Sequence, residues 1–373
     1  MAQAVPVGGT VVAKIGSSTL VDADGRIDAA FVQALCDQIA TLVHGGIHMV
    51  LVSSGAVAAG FERLGFSQRP SDMATLQACA SAGQVALAEA YSEVLAEHGI
   101  SCGQVLLTRR DVIDRSGYLH ARTTLLRLIE LGCVPVVNEN DTVSVAEFTF
   151  GDNDTLGAIT ATLVSADLYV ILSDVEGLYT ANPQDNPDAQ LISHVSKVDS
   201  HISAMAKGSS STLGTGGMAT KIRAARATLA AGIPTVICRG RSPHVLVDVV
   251  GGQAVGTRFE PDEQAHETGR KLWIGLAEIP QGSIKLDAGA LEAVQEHGAS
   301  ILPVGITESM GTYSSGDVVN VLAPDDTLVG RGVVRYSSEE MKQIRGLRLD
   351  VIRRFMPEKN GMPAIHRDEL LIF

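Results

Sequence analysis

Short apolar runs alternate with longer helix-patterned segments through the first two thirds of the chain, and few architectures accept that order. Residues 11–15, 49–52, 105–107, 134–137, 168–172 and 235–238 read as strands; residues 28–43, 71–98, 118–131, 154–164 and 218–231 read as helices. Continuous short apolar runs indicate strands buried on both faces, and intervening helices return the chain for parallel pairing. The order therefore predicts an α/β fold, a mostly parallel sheet with helices on both sides. Ligands of such folds sit beyond the strand C-termini. Gly16-Ser17-Ser18, Ser53-Ser54-Gly55, Asn138-Glu139-Asn140-Asp141 and Ser173-Asp174 all fall there.

After residue 259 the pattern changes. An acidic stretch, Glu260-Pro261-Asp262-Glu263, opens a linker over 260–272, and strand-like runs at 272–276, 283–286, 301–304, 318–322 and 328–334 follow with one helix at 288–297. This predicts a first domain over 1–259 and a small, strand-rich one over 273–373. The 373 residues suffice for two cores. Five cysteines without paired spacing indicate neither a disulfide framework nor a zinc site and suit a reducing cytoplasm. With no basic, apolar leader and no bilayer-length apolar run, the expectation is an untargeted cytoplasmic protein without a membrane partner.

The formal charge of −13 is concentrated N-terminally: residues 1–269 hold 17 Lys and Arg against 28 Asp and Glu, and residues 270–373 hold 12 against 14. Such a field repels nucleic acid and anionic substrates, so an anion must be captured by a few placed cations and backbone amides. The segment Gly214-Thr215-Gly216-Gly217-Met218-Ala219-Thr220-Lys221 supplies both at a helix start. It is not a dinucleotide fingerprint, because no apolar strand precedes it, nor a Walker loop, because Thr220 precedes the lysine and Ile222 follows.

Taken singly, the other clusters have plain structural readings. Lys14 suits a solvated strand end, Ser53-Ser54-Gly55 a helix cap, one residue of Gly151-Asp152-Asn153-Asp154 a cap, and Ser173-Asp174 a turn. Two acidic, amide-rich loops at one sheet edge are costly without a ligand, because their carboxylates repel.

In order, these motifs resemble the amino acid kinases. Ala13-Lys14-Ile15-Gly16-Ser17-Ser18, Ser53-Ser54-Gly55-Ala56, the two acidic loops, Ser173-Asp174-x-x-Gly177-Leu178-Tyr179-Thr180 and the segment 214–221 carry the likeness, which within that superfamily is to the glutamate 5-kinase family. It spans essentially the whole chain. Serines at 17 and 173, where threonine is commoner, preserve a hydroxyl. Residues from about 273 through Gly282-Ser283-Ile284 to Gly330-Arg331-Gly332 are similar to a PUA domain. The resemblance implies a three-layer sandwich, the amino acid kinase fold, plus a small strand-rich PUA-like domain.

It also implies ATP-dependent phosphorylation of the side-chain carboxylate of L-glutamate, the first step of proline synthesis, with ATP and Mg²⁺ as cofactors. Lys14, Lys221 and Asp154 would be catalytic. Lys14, Gly16, Ser173, Asp174, Thr215, Gly216, Gly217, Met218, Ala219, Thr220 and Lys221 would bind ATP, and Ser54, Asp141 and Asn153 the glutamate. The Mg²⁺ ligands are not identified. Proline as feedback inhibitor, a dimer or tetramer, and a glutamyl phosphate reductase as partner are further implications. RNA binding is not expected of the PUA-like domain, whose Arg345, Arg348, Arg353 and Arg354 read as a solvated face. Competing readings are an N-acetylglutamate kinase, which needs no acid for an α-ammonium, an aspartate kinase, an RNA-binding protein, and an inactive regulator, which intact Lys14, Asp154 and Lys221 oppose.

Overall fold

The computed structural model describes residues 4–22, 26–66, 70–108, 111–112, 115–144, 152–183, 185–205, 217–261, 280–359 and 362–372. The chain divides into two compact units, Met1–Ala265 and His266–Phe373.

The first unit is built on an eight-stranded sheet. Its strands are β1 (Thr10–Ile15), β2 (His48–Ser53), β3 (Cys102–Leu107), β4 (Val134–Glu139), β5 (Leu168–Ser173), β6 (His194–Val195), β7 (Thr235–Arg239) and β8 (Thr257–Phe259), in the order β3-β4-β2-β1-β5-β7-β8-β6. All neighbours pair in parallel except β7 with β8. Placing β1 between β2 and β5 sets Lys14 beside Val52 and Ile171.

Alternation along β1 decides what each helix layer meets. Val11, Ala13 and Ile15 share one apolar core with Leu35 and Ile39 of α2 (Ala29–His44), Leu87 and Tyr91 of α4 (Met73–Glu97), and Leu246 of α9 (Val245–Val250). Residues of opposite parity turn the other way, and Lys14 there meets α6 (Asn153–Leu163). Both sets are buried, as the unbroken apolar runs predicted. Aspartates cap several helices; among them Asp28, Asp72 and Asp152 accept the amides of Phe31, Thr75 and Thr155.

The remaining helices named here are α1 (Ser17–Leu20), α3 (Ala56–Arg63), α5 (Arg115–Glu130), α7 (Ser200–Met205) and α8 (Met218–Ala230). Helix α3, which periodicity did not separate from a cap, packs directly on α4. A Cβ at Gly60 would lie 1.6 Å from the Cys79 carbonyl oxygen, and one at Gly83 would lie 1.8 Å from that of Ala56. Only glycine permits backbones so close.

The second unit has a five-stranded sheet of β9 (Gly282–Leu286), β10 (Ile306–Gly311), β11 (Val318–Leu322), β12 (Leu328–Val334) and β13 (Ile365–Ile372), ordered β10-β9-β11-β12-β13. Helix α10 (Ala288–His297) follows β9, and α11 (Ser338–Ile344) starts with a capping box, Ser337 with Glu340. Ile284, Leu286, Val319, Val321, Tyr336 and Met341 are among its core residues. One sequence expectation fails here. Residues 301–304 are no strand: Ile301 makes a single bridge to Ile365, and Pro303–Gly305 is a 3₁₀ turn. The strand lies just beyond, in Ile306–Gly311, where exposed Thr307 and Glu308 and half-buried Ser309 erase the apolar signal. The expected strand at 272–276 and most of the expected linker lie outside the described residues. Arg345, Arg348, Arg353 and Arg354 are exposed, as expected of a solvated face, although no single helix carries them.

Candidate active site

Lys14 near the end of β1, Asp154 in the first turn of α6 and Lys221 in the first turn of α8 meet at one point. Asp154 Oδ1 accepts from Lys14 Nζ at 2.6 Å, and Oδ2 faces Lys221 Nζ at 3.3 Å. Thr220 Oγ1 donates to Oδ2 at 2.7 Å. The carboxylate is fully buried, and the lysines are 5 % and 6 % exposed. Burial by itself would raise the pKa of Asp154, but the two ammonium groups and the hydrogen bonds from Lys14 and Thr220 hold it at about 2. Tyr169 Oη donates to the Asp154 backbone carbonyl at 2.9 Å from within β5. Gly157 makes room for it, since a Cβ there would lie 2.2 Å from that hydroxyl.

Two buried cations share one anion, so the cluster carries one uncompensated positive charge. Asp152 lies beside the cluster, its pKa raised by burial and then by the neighbouring Asp154 charge, with Lys14 and Arg223 acting in the opposite sense. Helix α8 adds to this field. Unlike α2, α4 and α6 it has no side-chain cap; Gly217 stands at that position. Such an arrangement suits a phosphate. Met218, Ala219 and Thr220 form the first turn with Lys221; Thr215 and Gly216 lie outside the described residues. Gly16 sits against Lys14, a Cβ at that position being 3.6 Å from Nζ, and its N–H reaches the Leu172 carbonyl at 3.5 Å. Ser173 ends β5, donates to Asp174 Oδ1 at 2.9 Å, and receives the Gly240 N–H on its carbonyl at 2.8 Å.

A second polar cluster adjoins the first through α6. Asn153 Nδ2 lies 2.7 Å from Ser54 Oγ, 3.0 Å from the Ser53 carbonyl and 3.0 Å from Asn138 Oδ1. Tyr91 Oη and Ser53 Oγ are 2.9 Å apart in the core beneath. Ser54 and Asn153 are thus joined as substrate candidates, whereas Asp141 makes no hydrogen bond to either. It lies in the turn after β4 on the wall of a cavity of about 350 Å³, with Gln84, Glu139 and Asn140. Burial, and then the charge of Glu139, raises its pKa to about 6.

Sequence reasoning missed Tyr169, Gly157 and Gln84. A tyrosine within the buried run Leu168–Ser173 was a signal, since a buried phenol needs a partner; Gln84 in a small-residue helix gave none. Among the described residues no group of three or more His, Cys, Asp or Glu is arranged to hold a metal, and no helix is long and apolar enough to cross a membrane.

Comparison with known proteins follows the same division. The amino acid kinase family model matches residues 9–239, and the PUA domain model matches residues 282–356. The chain is 43 % identical to the glutamate 5-kinase of Trichlorobacter lovleyi, over 97 % of this chain and 96 % of that protein. It is 45 % identical to that of Pseudomonas paraeruginosa, over 97 % of each. Among solved structures, carbamate kinase from Giardia lamblia bound to AMP-PNP superposes with a TM-score of 0.51 at 19 % identity, covering 68 % of this chain and 99 % of that one. That last likeness is one of fold.

Proposed function

Because the chain belongs to the amino acid kinase family and, within it, to the glutamate 5-kinases, we propose how its residues transfer the γ-phosphoryl group of ATP to the side-chain carboxylate of L-glutamate. The product is L-glutamyl 5-phosphate, the first intermediate of proline biosynthesis. The observation that carries the mechanism is the Asp154 carboxylate clasped by Lys14 and Lys221.

A glutamate side chain of pKa about 4.3 is already ionised at neutral pH, so the nucleophile needs no general base. The barrier is electrostatic: a carboxylate must approach a polyanion. As the new carboxylate O–P bond forms, the bond from the γ-phosphorus to the β–γ bridging oxygen breaks and its electron pair leaves on ADP. Lys14 and Lys221 neutralise the transferring group and the departing oxygen. Asp154 keeps both ammonium groups aimed, and Tyr169 and Thr220 hold Asp154 in turn. The amides of the uncapped α8 start cradle phosphate oxygens, with Gly16 beside Lys14 and with Ser173 and Asp174 on the nucleoside side.

The residues present fit the phosphates, since the cluster has one positive charge in excess. When bound, Mg²⁺ would neutralise further phosphate oxygens; it retains most of its waters and needs few protein ligands, so it would enter with the nucleotide. For glutamate, Asp141 takes the α-ammonium, while Ser54 and Asn153 meet carboxylate oxygens. An acid placed for an ammonium favours glutamate over its N-acetyl derivative.

The PUA-like unit is read as architectural or regulatory. Proline, a cyclised glutamate skeleton, is read as an inhibitor competing at the glutamate cluster, and a dimer or tetramer through the kinase unit as the working form.

The test is chemical. With Mg-ATP and L-glutamate the protein should form an acyl phosphate that hydroxylamine traps as a hydroxamate, with little product from N-acetylglutamate or L-aspartate. Equal turnover of N-acetylglutamate would remove the substrate assignment.

A further inference from the structure

The polar chain that begins at Ser54 and Asn153 continues past Asn138, and its direction can be worked out. The backbone N–H of Glu139 can only donate, and it does so to Asn138 Oδ1 at 2.9 Å. Asn138 therefore presents Nδ2 to Gln84, whose Oε1 accepts at 2.9 Å. With Oε1 committed, Gln84 Nε2 is the free end. It is buried and has no hydrogen-bond partner among the described residues, in a side chain only 8 % exposed. Buried amide donors are rarely left so, because their desolvation is then uncompensated.

Gln84 lines the cavity that also contains Asp141. Other carboxylates on this wall are engaged: Glu139 accepts from Ser144 Oγ at 2.8 Å, and Glu89 from Arg63 at 2.7 Å. Among the described residues, no other residue's side chain donates a hydrogen bond to Asp141. The cavity thus offers one unengaged acid and one orphaned amide donor, and it has ample volume for an amino acid. An α-amino acid end supplies the complement, an ammonium and a carboxylate on one carbon.

Resting on the kinase reading above, we propose that Gln84 Nε2 donates to the α-carboxylate of the glutamate whose α-ammonium Asp141 holds. The two side chains then read the zwitterionic end together, leaving the side-chain carboxylate for Lys14 and Lys221. Selection for an α-carboxylate follows, so 4-aminobutyrate, which is glutamate without that group, is a poor substrate.

Gln84→Glu tests this sharply. The substitution keeps the shape of the side chain and an oxygen for Asn138, but exchanges the orphaned donor for an acceptor that repels a carboxylate. KM for L-glutamate should rise about tenfold to a hundredfold, the range for losing a hydrogen bond to a charged group. KM for ATP and kcat at saturating glutamate should change by less than about threefold. A purely structural Gln84 would leave KM for glutamate unmoved, and that result in folded variant overturns the proposal. The wild type supplies a second arm: its kcat/KM should favour L-glutamate over 4-aminobutyrate by about tenfold or more, and equal values overturn the proposal without any variant. The variant should lose most of that preference; full retention overturns the role of Gln84 alone. Wild-type protein that makes no hydroxamate from L-glutamate overturns the kinase reading itself.

Discussion

Asp154→Asn removes one charge from the centre of the proposed site and leaves its shape. In the wild type the carboxylate balances one of two ammonium groups that are almost wholly excluded from water. In the variant both ammonium groups face a neutral amide. Holding an aspartate at about 2 rather than the ordinary 3.8 means that its surroundings favour the ionised form by roughly 2–3 kcal/mol at neutral pH, at about 1.4 kcal/mol per unit. Stranding the lysines adds to this, and removing one member of a buried ion cluster costs about 3–5 kcal/mol. The expected loss of stability is therefore about 3–5 kcal/mol, with kcat falling on the order of a hundredfold or more as the lysines lose their position. Denaturant melts at pH 7 and hydroxamate kinetics measure the two effects. Lys14→Met in the Asp154→Asn background removes one stranded charge, so the double variant should be more stable than the sum of the single losses implies. Because the folded pKa of Asp154 is depressed, its contribution is full above about pH 4 and disappears as pH falls through about 2. A singly substituted protein that melts like the wild type and keeps kcat within about threefold would refute the clasp as the organising contact.

Other outcomes are more local. Asp141, raised to about 6, gains a proton as pH falls through that value and can no longer hold an ammonium; KM for L-glutamate should rise between pH 7 and 5, and a flat profile would contradict its role. For folding the sign is opposite: ionised Asp141 is the disfavoured form, so its cost is present above about pH 6 and is relieved on acidification towards 3.8. Gly157→Ala should displace the Tyr169 hydroxyl and cost about 1–3 kcal/mol, as overpacking does; an unchanged melt would show that β5 yields freely. Removing residues 266–373 should leave phosphoryl transfer while altering its response to proline, and complete loss of activity in a folded fragment would give the second unit a direct part in catalysis.

The layout of the first unit was legible because its strands are buried on both sides. Runs such as 11–15 and 168–172 have no solvated face to interrupt them, and longer helix-patterned segments separate them. The second unit was less legible where a strand faces water. In β10 the polar Thr307 and Glu308 are exposed and Ser309 is half-buried, while the apolar run before it, 301–304, contains Pro303, which lacks an N–H for a ladder. At the site, Lys14, Asp154 and Lys221 could be named from motifs, since charged residues at strand and helix ends are few. Their supports could not. Whether Tyr169 reaches a carbonyl, or Gln84 has a spare amide hydrogen, depends on neighbours far away in the chain.

The position of β1 has a consequence for how the protein is made. The first strand to leave the ribosome ends in the middle of the sheet, with β2 on one side and β5 on the other. Lys14 is thus translated early but meets Asp154 only some 140 positions later and Lys221 only after 207. On the proposed mechanism a nascent chain is a silent enzyme until α8 has emerged and docked, and a truncated translation product ending before that helix should consume no nucleotide.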